Sequence, residues 1–459
     1  MKLGYLLFDL LGLSATAETK QFDAYLANLT HQEARTLHRG WDNLTVEINT
    51  GTFIGMYNDT YPNHVLNTFP RYKTFGRTWF TSEDCLSLAV WTPSYANKSS
   101  KLPVALFITG GGGVTGGINV PSQLPEQWVS RSQEHIVVTI NYRVNIFGNP
   151  KSRALRETSL TLLDARAAIE WVSENIQQFG GDKENILLWG ESQGARLVDM
   201  YTTAFWEEPL VSKFGLISNG PNYVINTTET PDPYVDFDIV AKSLGCNYGS
   251  DYGAELECMR QVSWVEIEEF INRYDKNPGI AFDNYIHRYA KRLVAPGPAI
   301  RSTTATELEP SPNLTHTAEV ARNFNCFTLS DSKLRESIGL ETFRYFYVGN
   351  YPNISPEPWL GAYHWTDLLM IFGTYVKMVG DIPQAEIETS TAMQDFFLAF
   401  LKDGANMKNS VGWPEFRSKG KDGGLILEFG RDGSPTRNIT GDYLDASCYN
   451  ATVPFPIFS

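Results

Sequence analysis

The sequence predicts an α/β fold, in which a mostly parallel central sheet is covered by helices on both faces. Three short apolar runs, at residues 104–108, 136–140 and 186–189, are typical of buried strands. Between residues 162 and 179, apolar side chains recur at helical spacing, and Gly180-Gly181 ends the pattern. Strands that alternate with helices in this way indicate a parallel sheet.

The composition indicates a folded protein and argues against two classes of partner. The chain has 459 residues, of which 42% are hydrophobic, and this length suits one large α/β domain. Its net charge of −14 argues against nucleic acid and anionic membrane surfaces, because both require a basic face. No stretch reaches the ~18 consecutive apolar residues of a membrane span, so we expect no integral membrane segment. Nothing in the sequence indicates an oligomeric state.

The N-terminus resembles a secretory signal. Met1-Lys2 precedes the apolar segment 3–13, and the small residues that end at Ala17 fit an A-x-A cleavage site. A short N-terminal helix is the alternative. We therefore expect a signal peptide at 1–17, a single domain at 18–459 and a secreted, extracellular protein. Nine N-x-S/T acceptors suit a glycoprotein; they are Asn28, Asn43, Asn58, Asn97, Asn226, Asn313, Asn353, Asn438 and Asn450.

The third apolar run is followed by the pattern G-x-S-x-G at Gly190–Gly194 and then by a helix-compatible stretch. A sharp turn from strand to helix can lift a serine hydroxyl clear of the sheet, provided that glycines allow the backbone to approach closely. Ser192 is therefore a candidate nucleophile. The alternative is an ordinary Gly/Ser turn, because the five-residue pattern alone is common by chance.

A glycine run at 110–113 follows the first apolar run. Its backbone N–H groups suit a phosphate or a developing oxyanion. The spacing Gly111-x-Gly113-x-x-Gly116 also satisfies the dinucleotide fingerprint, which raises a nucleotide-binding oxidoreductase as a rival. That fingerprint requires a helix to begin here, whereas Pro121 and Pro125 follow and no Walker lysine is nearby. An oxyanion loop fits better.

A serine nucleophile needs a histidine base and an orienting carboxylate, which in this fold class follow it in the order Ser, acid, His. Three histidines lie downstream: His287, His316 and His364. His316 lies in a polar, proline-flanked segment and His287 has helical surroundings. His364 follows a glycine in a loop ahead of an apolar run, which is where a base is commonly carried. Periodicity alone does not choose among the three.

The motifs between residues 82 and 205 together resemble the type-B carboxylesterase and lipase family, which includes cholinesterases and fungal secreted lipases. Residues 82–90 are similar to its E-D-C-L-x-L-N-V signature, with Ala89 in place of the usual Asn. The resemblance implies the α/β-hydrolase fold. The other motifs that carry it are Asn141-Tyr142-Arg143, Leu162-Leu163-Asp164, Trp171-Val172, Phe179-Gly180-Gly181-Asp182 and Gly190-Glu191-Ser192.

The resemblance implies a Ser-Glu-His triad. Ser192 is implied as the nucleophile, and His364 as the base because it matches the family's G-x-x-H-x-x-[DE]-L block. The acid is implied to be Glu307, whose spacing matches the family's acid block although most flanking residues differ. Glu309 and Asp283 remain alternatives, and Glu307 could instead be an exposed loop carboxylate, since most carboxylates lie on surfaces.

The same resemblance implies an oxyanion hole formed by the amides of Gly111, Gly112 and Gln193. The family's aromatic residue after the three glycines is replaced by Gly113, and its His or Tyr before them by Thr109. Both changes remove bulk beside the acyl site. We therefore expect an enlarged acyl pocket at Gly113.

Five cysteines are present, and none has the spacing of a metal site, so we expect no metal or other cofactor. The resemblance implies two disulfides, Cys246 with Cys258 and Cys326 with Cys448. Cys85 normally pairs with an upstream cysteine in this family, and this chain has none.

Two segments are shorter than is usual for the family, near residues 56–81 and 310–325. Both would contribute loops that line the substrate gorge. The sequence thus predicts a secreted serine carboxylic ester hydrolase that acts on a small-molecule or lipid ester through an acyl-enzyme. The alternative is a catalytically weak or inactive cholinesterase-like binding protein on the same fold, which the altered acid block and shortened gorge would suit.

Overall fold

The described part of the chain contains thirteen strands, most of which form a sheet at the centre of the molecule. The structure is a computed structural model and describes residues 3–9, 45–48, 51–54, 56–58, 82–156, 159–220, 232, 234–274, 293–308, 310–357, 359–378, 380–419, 423–431 and 433–457. The strands are β1 (Leu3–Asp9), β2 (Thr45–Ile48), β3 (Gly51–Ile54), β4 (Met56–Asn58), β5 (Ser87–Pro93), β6 (Leu102–Ile108), β7 (Ile136–Ile140), β8 (Gly181–Glu191), β9 (Lys213–Ile217), β10 (Ala299–Thr304), β11 (Thr342–Tyr347), β12 (Leu425–Arg431) and β13 (Ser434–Thr440).

Eleven of these strands form one sheet in the order β13-β12-β11-β10-β9-β8-β6-β7-β5-β1-β4, and β2 pairs separately with β3. The seven strands from β12 to β7 run parallel to one another. Antiparallel pairs flank them at both ends. This arrangement confirms the predicted mostly parallel sheet.

Thirteen α-helices connect and cover these strands in the described residues. They are α1 (Glu126–Ser132), α2 (Asn145–Gly148), α3 (Leu160–Asn175), α4 (Gln193–Ala204), α5 (Val235–Ser243), α6 (Tyr252–Met259), α7 (Trp264–Tyr274), α8 (Leu314–Ser337), α9 (Thr366–Phe372), α10 (Gln384–Asp403), α11 (Met407–Ser410), α12 (Gly441–Leu444) and α13 (Ala446–Tyr449). The helix predicted over 162–179 is α3 followed by a 3-10 turn at Ile176–Phe179. It ends at Gly180, whose φ of 91° is left-handed, as the Gly-Gly stop predicts.

The sheet separates two hydrophobic cores, because successive side chains of a strand point to opposite faces. Along β6, Leu106 packs into one core with Ala168 of α3 and Val198 of α4. Phe107 packs into the other core, which includes helices α1, α9 and α10. Helices therefore cover both faces, and burial on both sides explains why β6 is an uninterrupted apolar run.

The predicted signal peptide includes residues that pair with the sheet in the structure. Leu3–Asp9 form β1, which lies between β5 and β4. The cleavage site at Ala17 lies outside the described residues, as does most of the segment near 56–81 that we expect to be shortened. The second such segment, 310–325, includes the first half of α8. Cleavage of residues 1–17 remains a prediction.

Candidate active site

Ser192 lies at the turn between β8 and α4 in an uncommon backbone conformation, with φ 54° and ψ −119°. Its amide donates to the carbonyl of Ile217 at 2.9 Å, and its carbonyl accepts from the amide of Arg196 at 3.0 Å. A positive φ is costly for a residue with a Cβ and persists only where the surroundings enforce it. The strand, turn and helix are the context that the G-x-S-x-G pattern requires, and they hold Ser192 half-buried.

The two outer glycines of this motif are required by close backbone contacts. A Cβ at Gly190 would lie 2.5 Å from the carbonyl carbon of Gly194. A Cβ at Gly194 would lie 2.0 Å from the carbonyl oxygen of Ile108, at the end of β6. The turn can therefore pack against the neighbouring strand only if both positions lack side chains.

The glycine run after β6 reaches this turn. A Cβ at Gly110 would lie 3.0 Å from Cβ of Ser192, and one at Gly111, where φ is 110°, would lie 2.3 Å from the carbonyl oxygen of Thr115. The backbone amides of Gly111, Gly112 and Gln193 donate no hydrogen bond to any described residue. Backbone amides without a hydrogen-bond partner can stabilise an oxyanion.

Gly113 is buried, and its φ of 76° is left-handed. Its carbonyl accepts a hydrogen bond from the amide of Asn145 at 2.6 Å, which fixes this conformation. A side chain here would be strained, so an aromatic residue requires a different backbone path. Nearby, Thr109 donates to Oε1 of Gln123 at 2.6 Å. Enlargement of the acyl pocket at Gly113 remains a prediction.

Glu307 lies just after β10 and is only 1% exposed. Its Oε1 accepts from the amide of Thr304 and from the hydroxyl of Ser218, both at 2.8 Å. Its Oε2 is in hydrogen-bond contact with Nδ1 of His364. The alternative of an exposed loop carboxylate is therefore wrong. Glu309 and Asp283, the other candidate acids, lie outside the described residues.

Thr306 fastens the acid segment to the loop that carries His364. Its amide donates to the carbonyl of Ala362 at 3.0 Å, and its hydroxyl donates to the carbonyl of Leu360 at 2.5 Å. Thr306 also forms an isolated parallel bridge with Tyr363. These bonds join the residues that immediately precede Glu307 and His364, so they fix the two loops relative to each other.

His364 is 7% exposed and lies between two buried carboxylates. While Nδ1 faces Glu307, Nε2 lies 3.0 Å from Oε1 of Glu191, the residue before Ser192. Nε2 forms no hydrogen bond with the Ser192 hydroxyl among the described atoms. Burial by itself lowers the pKa of His364, but the two glutamates outweigh it and hold this pKa well above its ordinary value.

A third buried acid, Asp367, lies three residues after the histidine in α9. Its Oδ2 accepts from the hydroxyl of Tyr345 at 2.7 Å. Burial raises the pKa of Asp367 to about 7, and the nearby Glu191 and Glu307 also favour its protonated form. The structure thus concentrates three carboxyl groups around one imidazole.

Sequence reasoning assigned no role to Glu191, Ser218, Thr306 or Asp367, although all four surround the acid and the base. Glu191 and Asp367 carried a signal, because each lies inside a motif that was used to identify its neighbour. Ser218 follows β9 and carried none, because its relationship to Glu307 depends on two strands being adjacent. The other candidate bases are elsewhere: His316 is exposed at the start of α8 and His287 lies outside the described residues.

Two disulfides are present, and they are those implied by the family resemblance. Cys246, just after α5, pairs with Cys258 in α6. Cys326 pairs with Cys448, which joins α8 to α13. Cys85 is a free thiol, and burial raises its pKa.

Two other kinds of feature are absent from the described residues. These residues contain no group of three or more His, Cys, Asp or Glu side chains placed to hold a metal ion. They also contain no helix with the length and apolar character needed to cross a membrane.

Comparisons with known proteins agree with this architecture. The sequence model of the carboxylesterase family matches residues 57–307. Chlorogenic acid esterase of Aspergillus niger is 35% identical over 403 residues, which cover 80% of this chain and 77% of the relative. Secreted lipase 5 of Gibberella zeae is 35% identical over 386 residues, covering 74% and 71% respectively.

The solved structure of PNB esterase is similar in fold. It superposes with a TM-score of 0.62 at 19% identity, covering 79% of this chain and 82% of the esterase chain. The parallel sheet, the serine turn after β8 and this similarity establish the α/β-hydrolase fold. With the family match and the two fungal relatives, they show that the chain belongs to the carboxylesterase family and is a carboxylic ester hydrolase.

Proposed function

We propose that the enzyme cleaves esters through an acyl-enzyme formed on Ser192, with His364 as general base and Glu307 as the orienting acid. The observation that carries this proposal is the buried contact between Glu307 and Nδ1 of His364. It leaves Nε2 directed towards the segment that holds the serine turn. A carboxylate on Nδ1 fixes the tautomer that leaves Nε2 free to accept a proton.

In the acylation step, the Ser192 hydroxyl oxygen attacks the ester carbonyl carbon and its proton passes to Nε2 of His364. The tetrahedral intermediate then collapses, the bond to the alcohol oxygen breaks, and the imidazolium gives its proton to the departing alcohol. Water repeats the sequence on the acyl-enzyme and releases the acid. Glu307 stabilises the imidazolium in both halves.

The free amides of Gly111, Gly112 and Gln193 support the proposed oxyanion hole. Loss of one such donor typically costs ~100-fold or more in turnover. Glu191 adds a requirement: Nε2 lies beside its carboxylate, so the imidazole must give up this contact or lose its proton before it can act as a base. This geometry favours activity at neutral to alkaline pH.

Hydrolysis of p-nitrophenyl butyrate by the enzyme and by its Ser192→Ala variant tests the proposal. We expect turnover by the enzyme and background rates for the variant, with unchanged circular dichroism. Equal rates in two folded proteins would contradict the assignment of Ser192. As a control for the turn itself, Ser192→Cys keeps the Cβ and a nucleophilic atom and should retain a covalent acylation burst.

The alternative hypothesis is a non-catalytic binding protein with the same fold. A fluorophosphonate probe separates the two, because it reacts only with an activated serine. Labelling that disappears in both Ser192→Ala and His364→Ala supports the enzyme. A protein that binds its partner but takes no label would support the alternative.

For the substrate, we propose a carboxylic ester with a bulky or long acyl group, which the glycine at position 113 supports. Esters of increasing acyl length and chlorogenic acid, the compound named for the Aspergillus niger relative, form the test panel. A strict preference for acetate would contradict this proposal. We further propose that the enzyme is secreted. The name of its Gibberella zeae relative, secreted lipase 5, supports this proposal, and so does the N-terminal sequence of this chain.

A further inference from the structure

Strand β13 lies at one end of the eleven-stranded sheet, and β12 is the only strand among the described residues with which it pairs. The free side of an end strand presents backbone N–H and C=O groups that can pair with another chain, so proteins protect such edges. Two protective features lie on β13. Pro435 cannot donate a hydrogen bond, and Arg437 is held by an ion pair with Glu428 of β12. The last part of the strand, 438–440, carries neither feature.

That unprotected part is the acceptor sequence Asn438-Ile439-Thr440. Ile439 is 8% exposed and packs into the core, whereas Asn438 is exposed. The Asn438 side chain forms no hydrogen bond with any described residue, so its amide nitrogen is free. Thr440, the third residue, also caps α12 by accepting from the amide of Tyr443 at 3.2 Å.

A second acceptor of nearly the same sequence, Asn353-Ile354-Ser355, has the opposite environment. Asn353 is 2% exposed, and its Nδ2 donates to Oε1 of Glu386 at 3.0 Å. An N-linked sugar is attached through this nitrogen. A chain glycosylated at Asn353 could not form this fold, so the structure separates two acceptors that the sequence alone cannot.

We propose that Asn438 carries an N-linked glycan that covers the open edge of the sheet at β13. In the transfer step, Nδ2 of Asn438 bonds to the anomeric carbon of a lipid-linked oligosaccharide pyrophosphate. The bond between that carbon and the pyrophosphate oxygen breaks, Nδ2 loses one proton, and the lipid pyrophosphate leaves. The proposal rests on the proposed secretion, because the glycosyl donor is found only along the secretory route.

A glycan at this position would act by bulk and hydration. A bound oligosaccharide is large and strongly hydrated, so a second strand could not approach the 438–440 segment closely enough to form backbone hydrogen bonds. The sugar would complete a protection that Pro435 and Arg437 begin in the preceding part of the same strand. The active site is not involved, since its residues lie after β6, β8, β10 and β11.

The experiment is peptide mapping of the full-length protein secreted from a eukaryotic host. Treatment with a peptide-N-glycosidase, which removes N-glycans, converts each glycosylated Asn to Asp. Mass spectrometry then identifies the converted positions. We expect conversion at Asn438 in most chains and none at Asn353. The Asn438→Gln variant should lose one glycan from the intact mass while Asn353→Gln loses none.

Other exposed acceptors distinguish a failure of the Asn438 proposal from a failure of the proposed secretion. Asn97 lies in the turn after β5, and Asn450 follows α13. An unmodified Asn438 in secreted protein that is modified at Asn97 or Asn450 would overturn the proposal and leave secretion intact. A chain retained in the cell with no modified acceptor would overturn both, with secretion as the step that failed.

A separate measurement tests whether the glycan on Asn438 prevents association through the edge of β13. Light scattering over a range of protein concentrations should show that Asn438→Gln self-associates towards a dimer mass more readily than the glycosylated protein. Removal of the acceptor in the turn, Asn97→Gln, is the matched control and should leave the mass unchanged. Equal masses for Asn438→Gln and the glycosylated protein at every concentration would show that the glycan does not protect this edge.

Discussion

Nε2 of His364 lies 3.0 Å from Oε1 of Glu191, in a site where both side chains are buried. Glu191 immediately precedes Ser192, so the same turn that presents the proposed nucleophile also presents a negative charge to the proposed base. A negative charge at this distance favours the protonated imidazole. Because a general base must be neutral, Glu191 sets the pH above which His364 can accept a proton.

Replacing Glu191 with Gln should move the acidic limb of the pH–rate profile to lower pH. The pKa of His364 is raised by Glu191, so removing the charge lowers that pKa and leaves the base neutral in more acidic solution. We expect a shift of about one to three pH units in kcat/KM, the range that a close opposite charge produces. The exposed Glu174→Gln on α3 is the control. An unmoved limb would show that Glu191 does not govern the base.

Two variants around the acid should differ greatly in effect. Glu307→Gln keeps the shape but cannot hold the imidazolium, so we expect kcat to fall by about 10⁴-fold. Ser218→Ala removes one hydroxyl donor to Glu307 and leaves the donor from Thr304. A single hydrogen bond contributes about 1 kcal/mol, so a fall of about five-fold is expected. Equal losses in the two variants, measured with p-nitrophenyl butyrate, would contradict this division of roles.

The strands that contain a mostly apolar run could be predicted from the sequence. Strands β6 and β7 and the 186–189 part of β8 lie at the centre of the sheet, are buried on both faces, and therefore appear as apolar runs. Strand β10 is equally buried but was not predicted, because its sequence is Ala-Ile-Arg-Ser-Thr-Thr. Its Arg301 is neutralised by Asp199 and Asp331 from two helices, a compensation that exists only in the folded chain.

The residues of the candidate site likewise fall into those that the sequence predicts and those that it does not. Ser192 could be predicted because its neighbours in sequence, the two glycines, are also its neighbours in space. The sequence does not single out Glu307, because the features that distinguish it are tertiary: its burial, the Ser218 hydroxyl and the bonds that Thr306 makes to the His364 loop. Local sequence carries no record of such contacts.

Gly113 should be sensitive to any side chain, for two separable reasons. Its φ of 76° makes a Cβ unfavourable, so Gly113→Ala should lower stability by about 1–2 kcal/mol. Gly113→Phe restores the family's aromatic residue and should in addition reduce kcat/KM for long acyl chains more than for acetate. Thermal unfolding and an acyl-length series measure the two effects. The Ala variant is the control for strain, and a chain-length profile that is the same in both variants would contradict a role in the acyl pocket.

The N-terminal apolar segment can serve either as a strand of the sheet or as a cleaved signal peptide, but not as both in the mature protein. In this chain it forms β1 against β5; as a signal peptide it would be removed after Ala17. We expect the secreted enzyme to begin at Glu18, because its first seventeen residues have the composition of a cleaved signal. N-terminal sequencing of the secreted protein measures this. A secreted protein that begins at Met1 or Lys2 would contradict the prediction and would assign β1 to the mature sheet.

Stability should fall as pH rises through neutrality, because a buried carboxyl group outside the proposed triad loses its proton. Glu386, in the first turn of α10, is 0% exposed, and burial raises its pKa from 4.5 to about 7 although Asn353 donates to it. The folded state thus binds this proton more tightly than the unfolded state does. The resulting stability is fully present below pH 4.5 and is lost as pH rises through about 7. Asp331, with a pKa of about 6, and Asp367, with one of about 7, act in the same direction.

Glu386→Gln should therefore flatten the dependence of Tm on pH, because the amide has no proton to lose and can still accept from Asn353. One pKa unit corresponds to about 1.4 kcal/mol, so the variant should gain a few kcal/mol relative to the parent at pH 8 and little at pH 4. Glu388→Gln, an exposed neighbour on the same helix, is the matched control and should leave the profile unchanged. Thermal unfolding at a series of pH values gives the comparison. A parent and a Glu386→Gln variant with parallel profiles would show that Glu386 ionises in the folded enzyme as easily as it does in water.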